Sequence, residues 1–177
     1  MCRDRLNSST STQEQGMRSK TPKQALGSLM RLCARSERSS GDAIRLLRRW
    51  GVAEGEHKAI IDRLITERYI DDRRYAEAYA REKSQLAGWG ARKIALYLRQ
   101  KGIENTIIEE VTAMLDSSIQ RDKLIAKLRR KASTVKADSD YELRGKLMRY
   151  AAGLGYDYAM AKEMVAAVMG EDSSEEI

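Results

Sequence analysis

Phenylalanine is absent from this chain, and its 177 residues include one proline, one histidine and two cysteines. Cys2 lies in a polar stretch and Cys33 inside an apolar helical pattern, so the pair supports neither a disulfide framework nor zinc-ligand spacing. A reduced, cytoplasmic setting is expected. No segment approaches about 18 uninterrupted apolar residues, and the opening MCRDRLNSSTSTQEQGMRSK has no apolar signal region, so neither a membrane span nor an export signal is predicted. No run alternates apolar and polar residues with β-branched enrichment, and glycine and proline do not punctuate short segments, which excludes a strand-based fold.

What is present is helical and repeated. AIRLLRRWGV begins at Ala43, KIALYLRQKGI at Lys93 and KLMRYAAGLGY at Lys146, and each runs into a glycine with an apolar residue in its wake. Gly51, Gly102 and Gly155 are 51 and 53 residues apart, the period of tandem helical units that cannot each bury an apolar face alone. A short all-α solenoid follows. Stacked repeats present an extended surface rather than a deep cleft, which favours docking over catalysis.

Residues 1–22 are Ser-, Thr- and Gln-rich and read as a disordered tail, with Pro22 suited to the first helical turn. One ordered domain is expected over 23–170, divided at about 23–70, 71–118 and 119–170, followed by an acidic, frayed 171–177. The first unit carries stripes at Leu26, Leu29, Met30 and Cys33, at Ile44, Leu47 and Trp50, and at Ile60, Ile61, Leu64 and Ile65. The second has Tyr75, Ala76, Ala78 and Tyr79, then Ile94, Tyr97 and Leu98, then Ile107, Ile108, Val111 and Leu115. The third has Leu124, Ile125 and Leu128, then Leu147, Tyr150 and Leu154, then Met160, Met164 and Val168. Nine helices are predicted. Asn105, Asp157, the Ser139/Glu142 pair and Asp71-Asp72 offer acceptors for the unpaired N–H groups at helix starts.

The inventory for chemistry is thin. His57 aligns with Ile108 and Ala161 in the other units and reads as a packing residue, as does Cys33. Gly88-Trp89-Gly90 lacks the preceding strand and the Gly-Lys-Ser/Thr of a phosphate loop. Asp71-Asp72 are explained as a cap, with no second acidic cluster at ligand spacing. No catalytic residue, metal or cofactor is predicted. Positive charge says more, because Lys+Arg 33 against Asp+Glu 26 gives +7 and a pI near 9.5. The excess is concentrated at Arg73, Arg74, Arg81, Lys83, Arg92, Lys93, Arg99 and Lys101 in the second unit and around Arg129, Arg130 and Lys131 in the third. Such a face suits phosphates or an acidic protein groove, and charge alone does not choose between them. Trp89 reads either as packing against the neighbouring unit or as an exposed anchor, while Met148, Met160, Met164 and Met169 read as adaptable core.

Tyr69-Ile70-Asp71-Asp72-Arg73-Arg74-Tyr75-Ala76, then Gly88-Trp89-Gly90-Ala91-Arg92-Lys93-Ile94, then Leu98-Arg99-Gln100-Lys101-Gly102-Ile103 resemble, in order and spacing, the signature of RecX, the bacterial regulator of the RecA recombinase. The resemblance is sharpest from about Leu64 to Leu115. It implies tandem three-helix repeats in a curved rod and a monomeric, non-enzymatic modulator. It further implies docking in the groove of the RecA–DNA filament, with limits on filament growth, strand exchange and ATP hydrolysis, and single- or double-stranded DNA as a further partner. By motif, Arg74 and Lys101 match basic family positions. Lys93 stands where arginine is usual, supplying a point charge rather than a fork, and Tyr75 where phenylalanine often occurs. The rival expectation from charge and repeats is a stand-alone DNA-binding helical module.

Overall fold

A computed structural model describes residues 19–170, which form nine α-helices and no strand. These are α1 (Pro22–Cys33), α2 (Ser40–Arg49), α3 (Glu54–Thr66), α4 (Asp72–Gln85), α5 (Ala91–Gln100), α6 (Asn105–Ala113), α7 (Ser117–Ala132), α8 (Asp140–Gly153) and α9 (Tyr158–Met169). The expected tail and frayed end fall largely outside the described residues. Residues 19–22, assigned above to the tail, are instead in place. Thr21 and Gln24 form a reciprocal capping box around Pro22, and the Lys20 amide donates to the Trp50 carbonyl at 2.9 Å. The expected boundary after 118 falls just inside α7, whose cap is Asp116.

Each set of three helices encloses its own small core. α1–α3 bury Leu29, Leu47, Ile60, Leu64 and Ile70, α4–α6 bury Ala76, Ala80, Ile94, Leu98, Ile108 and Val111, and α7–α9 bury Leu124, Leu128, Leu147, Met164 and Val165. The three clusters share no buried residue. At roughly 1.5–3 kcal/mol per fully buried aliphatic side chain, each is marginal against the entropy of ordering its helices, so neighbours must support one another.

The recurrent glycine-apolar pair has one physical explanation at all three sites. Gly51, Gly102 and Gly155 adopt left-handed backbone, with φ of 66°, 78° and 88°. The next amide reaches back five residues, from Val52 to Leu47, Ile103 to Leu98 and Tyr156 to Ala151. The apolar residue thereby folds onto its own helix end, and Val52, Ile103 and Tyr156 are buried. α3 ends in the same way with Arg68, not glycine, at φ 59°.

Three details depart from the sequence expectation. Ala78 is exposed and Ala80 buried, because the α4 stripe runs at i, i+4 from Ala76. Ile65 is 48% exposed beside a groove. Asn105 is not a cap: α6 starts behind Glu104 without a side-chain cap, and Asn105 accepts from Arg99 Nε at 3.1 Å. Ser39, Asp71, Asp116, Ser139 and Asp157 do cap their helices. Glu142, however, accepts from the Asp138 amide, so α8 lacks a full reciprocal box.

Candidate functional site

The middle helix of each set meets its neighbour end to end. At the N-terminus of α2, Ser39 Oγ donates to the Lys101 carbonyl at 2.7 Å and Arg45 Nη1 to the Gln100 carbonyl at 2.8 Å, both at the C-terminus of α5. At the N-terminus of α5, the Gly90 amide donates to the Leu154 carbonyl at 2.8 Å and the Arg92 amide to the Gly155 carbonyl at 3.0 Å, at the C-terminus of α8. The positive end of one helix dipole thus satisfies the bare carbonyls of the next. Gly41 and Gly90 leave no room for a side chain of their own: a Cβ on Gly41 would stand 2.2 Å from the Lys101 carbonyl oxygen, and one on Gly90 2.4 Å from that of Gly155. Of the basic residues picked out by the sequence, Arg92, Lys93, Arg99 and Lys101 lie on or beside α5, the helix that takes part in both joints.

Several of those residues prove to be held internally. Lys101 Nζ lies 3.2 Å from both carboxylate oxygens of Asp42, which Arg45 also contacts. Burial pushes the Asp42 carboxyl up, but hydrogen bonds and charge from Arg45 and Lys101 outweigh it and leave the pKa below its ordinary value. Arg74 grips Glu37 in a fork, Nε–Oε1 at 2.9 Å and Nη2–Oε2 at 3.0 Å, and that pairing raises its own pKa. Asp72 accepts from the Ser40 amide at 2.8 Å and from its hydroxyl. Arg73 pairs with Glu110 at 2.6 Å, and Arg121 pairs with Glu163 between the first and third helices of the last set as Arg73 does in the middle one.

The remaining basic residues form a different group. Arg81, Arg92, Arg129 and Arg130 are exposed and make no ion pair among the described residues. Lys93 Nζ donates to the Gly153 carbonyl at 3.3 Å and sits 4.5 Å from the centre of the Trp89 ring, and Lys83 Nζ lies 5.8 Å from that ring and 5.2 Å from Tyr79, although Lys83 also contacts Glu82. Lys131 Nζ lies 5.6 Å from the Tyr150 ring. Trp89 is half-buried and packs on Tyr97 of its own set, with centroids 4.9 Å apart, while of its neighbours Gly88 accepts from Tyr156 Oη and Gly90 donates to the Leu154 carbonyl, both of the third set. Lysines resting on aromatic faces with an exposed edge give a surface that attracts anions and offers rings for stacking or anchoring. Glu37, Asp42 and Gly41 went unmarked in the sequence because their partners lie tens of residues away and no local period points to them.

His57 is buried, with Nε2 2.9 Å from the Val52 carbonyl, at the level of the buried Ile108 and Ala161. Cys33 is half-buried and burial pushes its thiol up, which makes it a poor nucleophile. Among the described residues no group of His, Cys, Asp and Glu is arranged to hold a metal, and no helix is long and apolar enough to cross a membrane.

The profile of the second three-helix domain of RecX matches residues 71–111, the stretch holding α4, α5 and most of α6. Regulatory protein RecX of Mycolicibacterium smegmatis is 28% identical over 178 residues, covering 96% of this chain and 95% of that protein. Regulatory protein RecX of Clostridium botulinum is 31% identical over 111 residues, covering 62% of this chain and 51% of that protein. The crystal structure of RecX from Lactobacillus salivarius superposes with a TM-score of 0.75 at 22% identity, over 84% of this chain and 96% of that one, and so shares the fold. With the three linked motifs, the matched second domain and relatives aligned almost end to end, the chain belongs to the RecX family of regulatory proteins.

Proposed function

We propose that this protein is a non-enzymatic modulator of RecA, mainly an inhibitor, which lies in the groove of the RecA–DNA filament and limits filament extension, ATP hydrolysis and strand exchange. The observation that carries the reading is the set of cations left without carboxylates in the second and third helix sets. Arg81, Arg92, Arg129 and Arg130 are exposed and unpaired among the described residues, and Lys93 and Lys131 rest on aromatic rings. A solvated helix face ordinarily interleaves both signs, as α3 does with Lys58–Asp62 and Arg63–Glu67. The unpaired cations suit carboxylates of a protein groove, with DNA phosphate as a further contact. A rod spanning several protomers regulates by binding one filament state better than another.

The test is RecA's single-strand-DNA-dependent ATPase and filament length, measured at moderate salt with substoichiometric amounts of the protein and of an Arg92→Glu/Arg129→Glu/Arg130→Glu variant. Inhibition well below one molecule per RecA protomer is expected, and its loss in the folded variant. If the wild-type protein leaves RecA unaffected yet binds DNA by itself in a salt-sensitive manner, the reading fails and a stand-alone DNA-binding module replaces it.

A further inference from the structure

The first and second helix sets are joined almost without apolar packing. Their buried clusters are separate, and the side-chain contacts between them are polar: the Glu37–Arg74 fork, the Asp42–Lys101 pair, Ser40 on Asp72, and Ser39 and Arg45 on the α5 carbonyls. Alongside runs an open groove of about 750 Å³, floored by Ile44, Ile61, Ile70 and Ile107. Close-packed side chains would lock the angle between the sets, whereas an unfilled wedge leaves it free to change. The Glu37 and Arg74 side chains are each 46% exposed, so water and ions reach the fork. Asp42 is only 17% exposed, which makes its pair with Lys101 the more durable half.

We infer that Arg74 and Lys101 are positioning residues: together with Glu37 and Asp42 they form an ionic latch that sets the angle of the first three-helix set on the second. The latch is a property of the chain alone and does not depend on what the protein binds. It also follows that the two cations, spent inside the molecule, are not standing contact residues. An anionic surface that draws either of them away unfastens the first set, so binding and curvature become coupled. Exposed pairs are screened by salt, so the angle widens its range as ionic strength rises.

The experiment is a distance distribution between labels on Ala59→Cys in α3 and Ala113→Cys in α6, both exposed, in the full chain with Cys2→Ser and Cys33→Ala. A single narrow distance is expected at about 20 mM salt and a broadened one at about 500 mM, where the screening length falls several-fold. Glu37→Gln with Asp42→Asn loses the narrow distance even at low salt, while circular dichroism reports unchanged helix content. The charge swap Glu37→Arg with Arg74→Glu restores it, which a merely structural role for either residue would not do. The inference is overturned if the unsubstituted pair of sets keeps one distance at both salts, or if the neutral variant matches it at low salt. Neither result touches RecA, so failure here is distinct from failure of the proposed function.

Discussion

Gly41→Ala reverses the usual sign of a glycine replacement. Gly41 lies inside α2 with no positive φ, where alanine is ordinarily favoured by about 1 kcal/mol. Its Cβ, however, would meet the Lys101 carbonyl oxygen at 2.2 Å, the carbonyl carbon at 2.8 Å and Gly102 Cα at 2.9 Å, all main-chain atoms. To reach ordinary contact α2 must retreat from α5 by about 1 Å. That stretches the Ser39 and Arg45 bonds to the α5 carbonyls, now 2.7 and 2.8 Å, beyond useful length. A neutral bond contributes about 1 kcal/mol and a charge-assisted one about 1.5–3, so the loss is about 2–4 kcal/mol. Subtracting the helix gain leaves a net destabilisation of about 1–3 kcal/mol. Urea unfolding followed by far-ultraviolet circular dichroism measures it, with Gly145→Ala as control. The nearest atom to a Cβ there is the end of Arg149 at 3.6 Å, so stabilisation of about 1 kcal/mol is expected. A Gly41→Ala protein as stable as the control would refute the end-to-end joint.

Arg68→Gly should raise stability by about 1 kcal/mol, because a left-handed non-glycine residue closes α3 where glycine closes the middle helices; a lower urea midpoint would show that the Arg68 side chain compensates its strain. The Tyr75 and Tyr156 phenols should still be protonated at about pH 10. Burial, joined at Tyr75 by the Asp42 charge, pushes both up to about 12. A raised phenol pKa stabilises the fold below about pH 10 and loses that contribution as pH climbs through the folded value. The Tyr75 and Tyr156 share of the tyrosinate absorbance should therefore appear only as the fold is lost, and its loss from Tyr75→Phe or Tyr156→Phe variants at about pH 10 in the folded protein would contradict the burial.

The helices were legible because each set writes its core locally. Leu47, Leu98 and Leu147 fall on stripes of period 3.6, and Gly51, Gly102 and Gly155 mark the ends with a conformation few other residues adopt cheaply. Arg68 hid the corresponding end of α3, since nothing in an arginine announces left-handed backbone. Short side chains misled in both directions, as Ala78 and Ala80 show: an alanine gives periodicity little weight. The basic surface was legible only as a sum of charges. Arg74 and Arg81 look alike in sequence, yet Glu37 occupies one and nothing among the described residues pairs with the other. Which cations remain available depends on carboxylates that the joints bring close.

The two ends of the row of middle helices are built differently from the joints within it. Trp50 ends α2 as Lys101 and Leu154 end the other middle helices, but the Lys20 amide takes its carbonyl, and Lys20 Nζ lies 3.6 Å from the centre of the Trp50 ring. At the opposite end Tyr141, the second residue of α8, is 88% exposed. One end of the row of middle helices is thus closed by the chain's own backbone and a lysine on an indole face, and the other presents an exposed aromatic ring. The two ends therefore differ in chemistry from each other and from the carbonyl-to-donor joints between them.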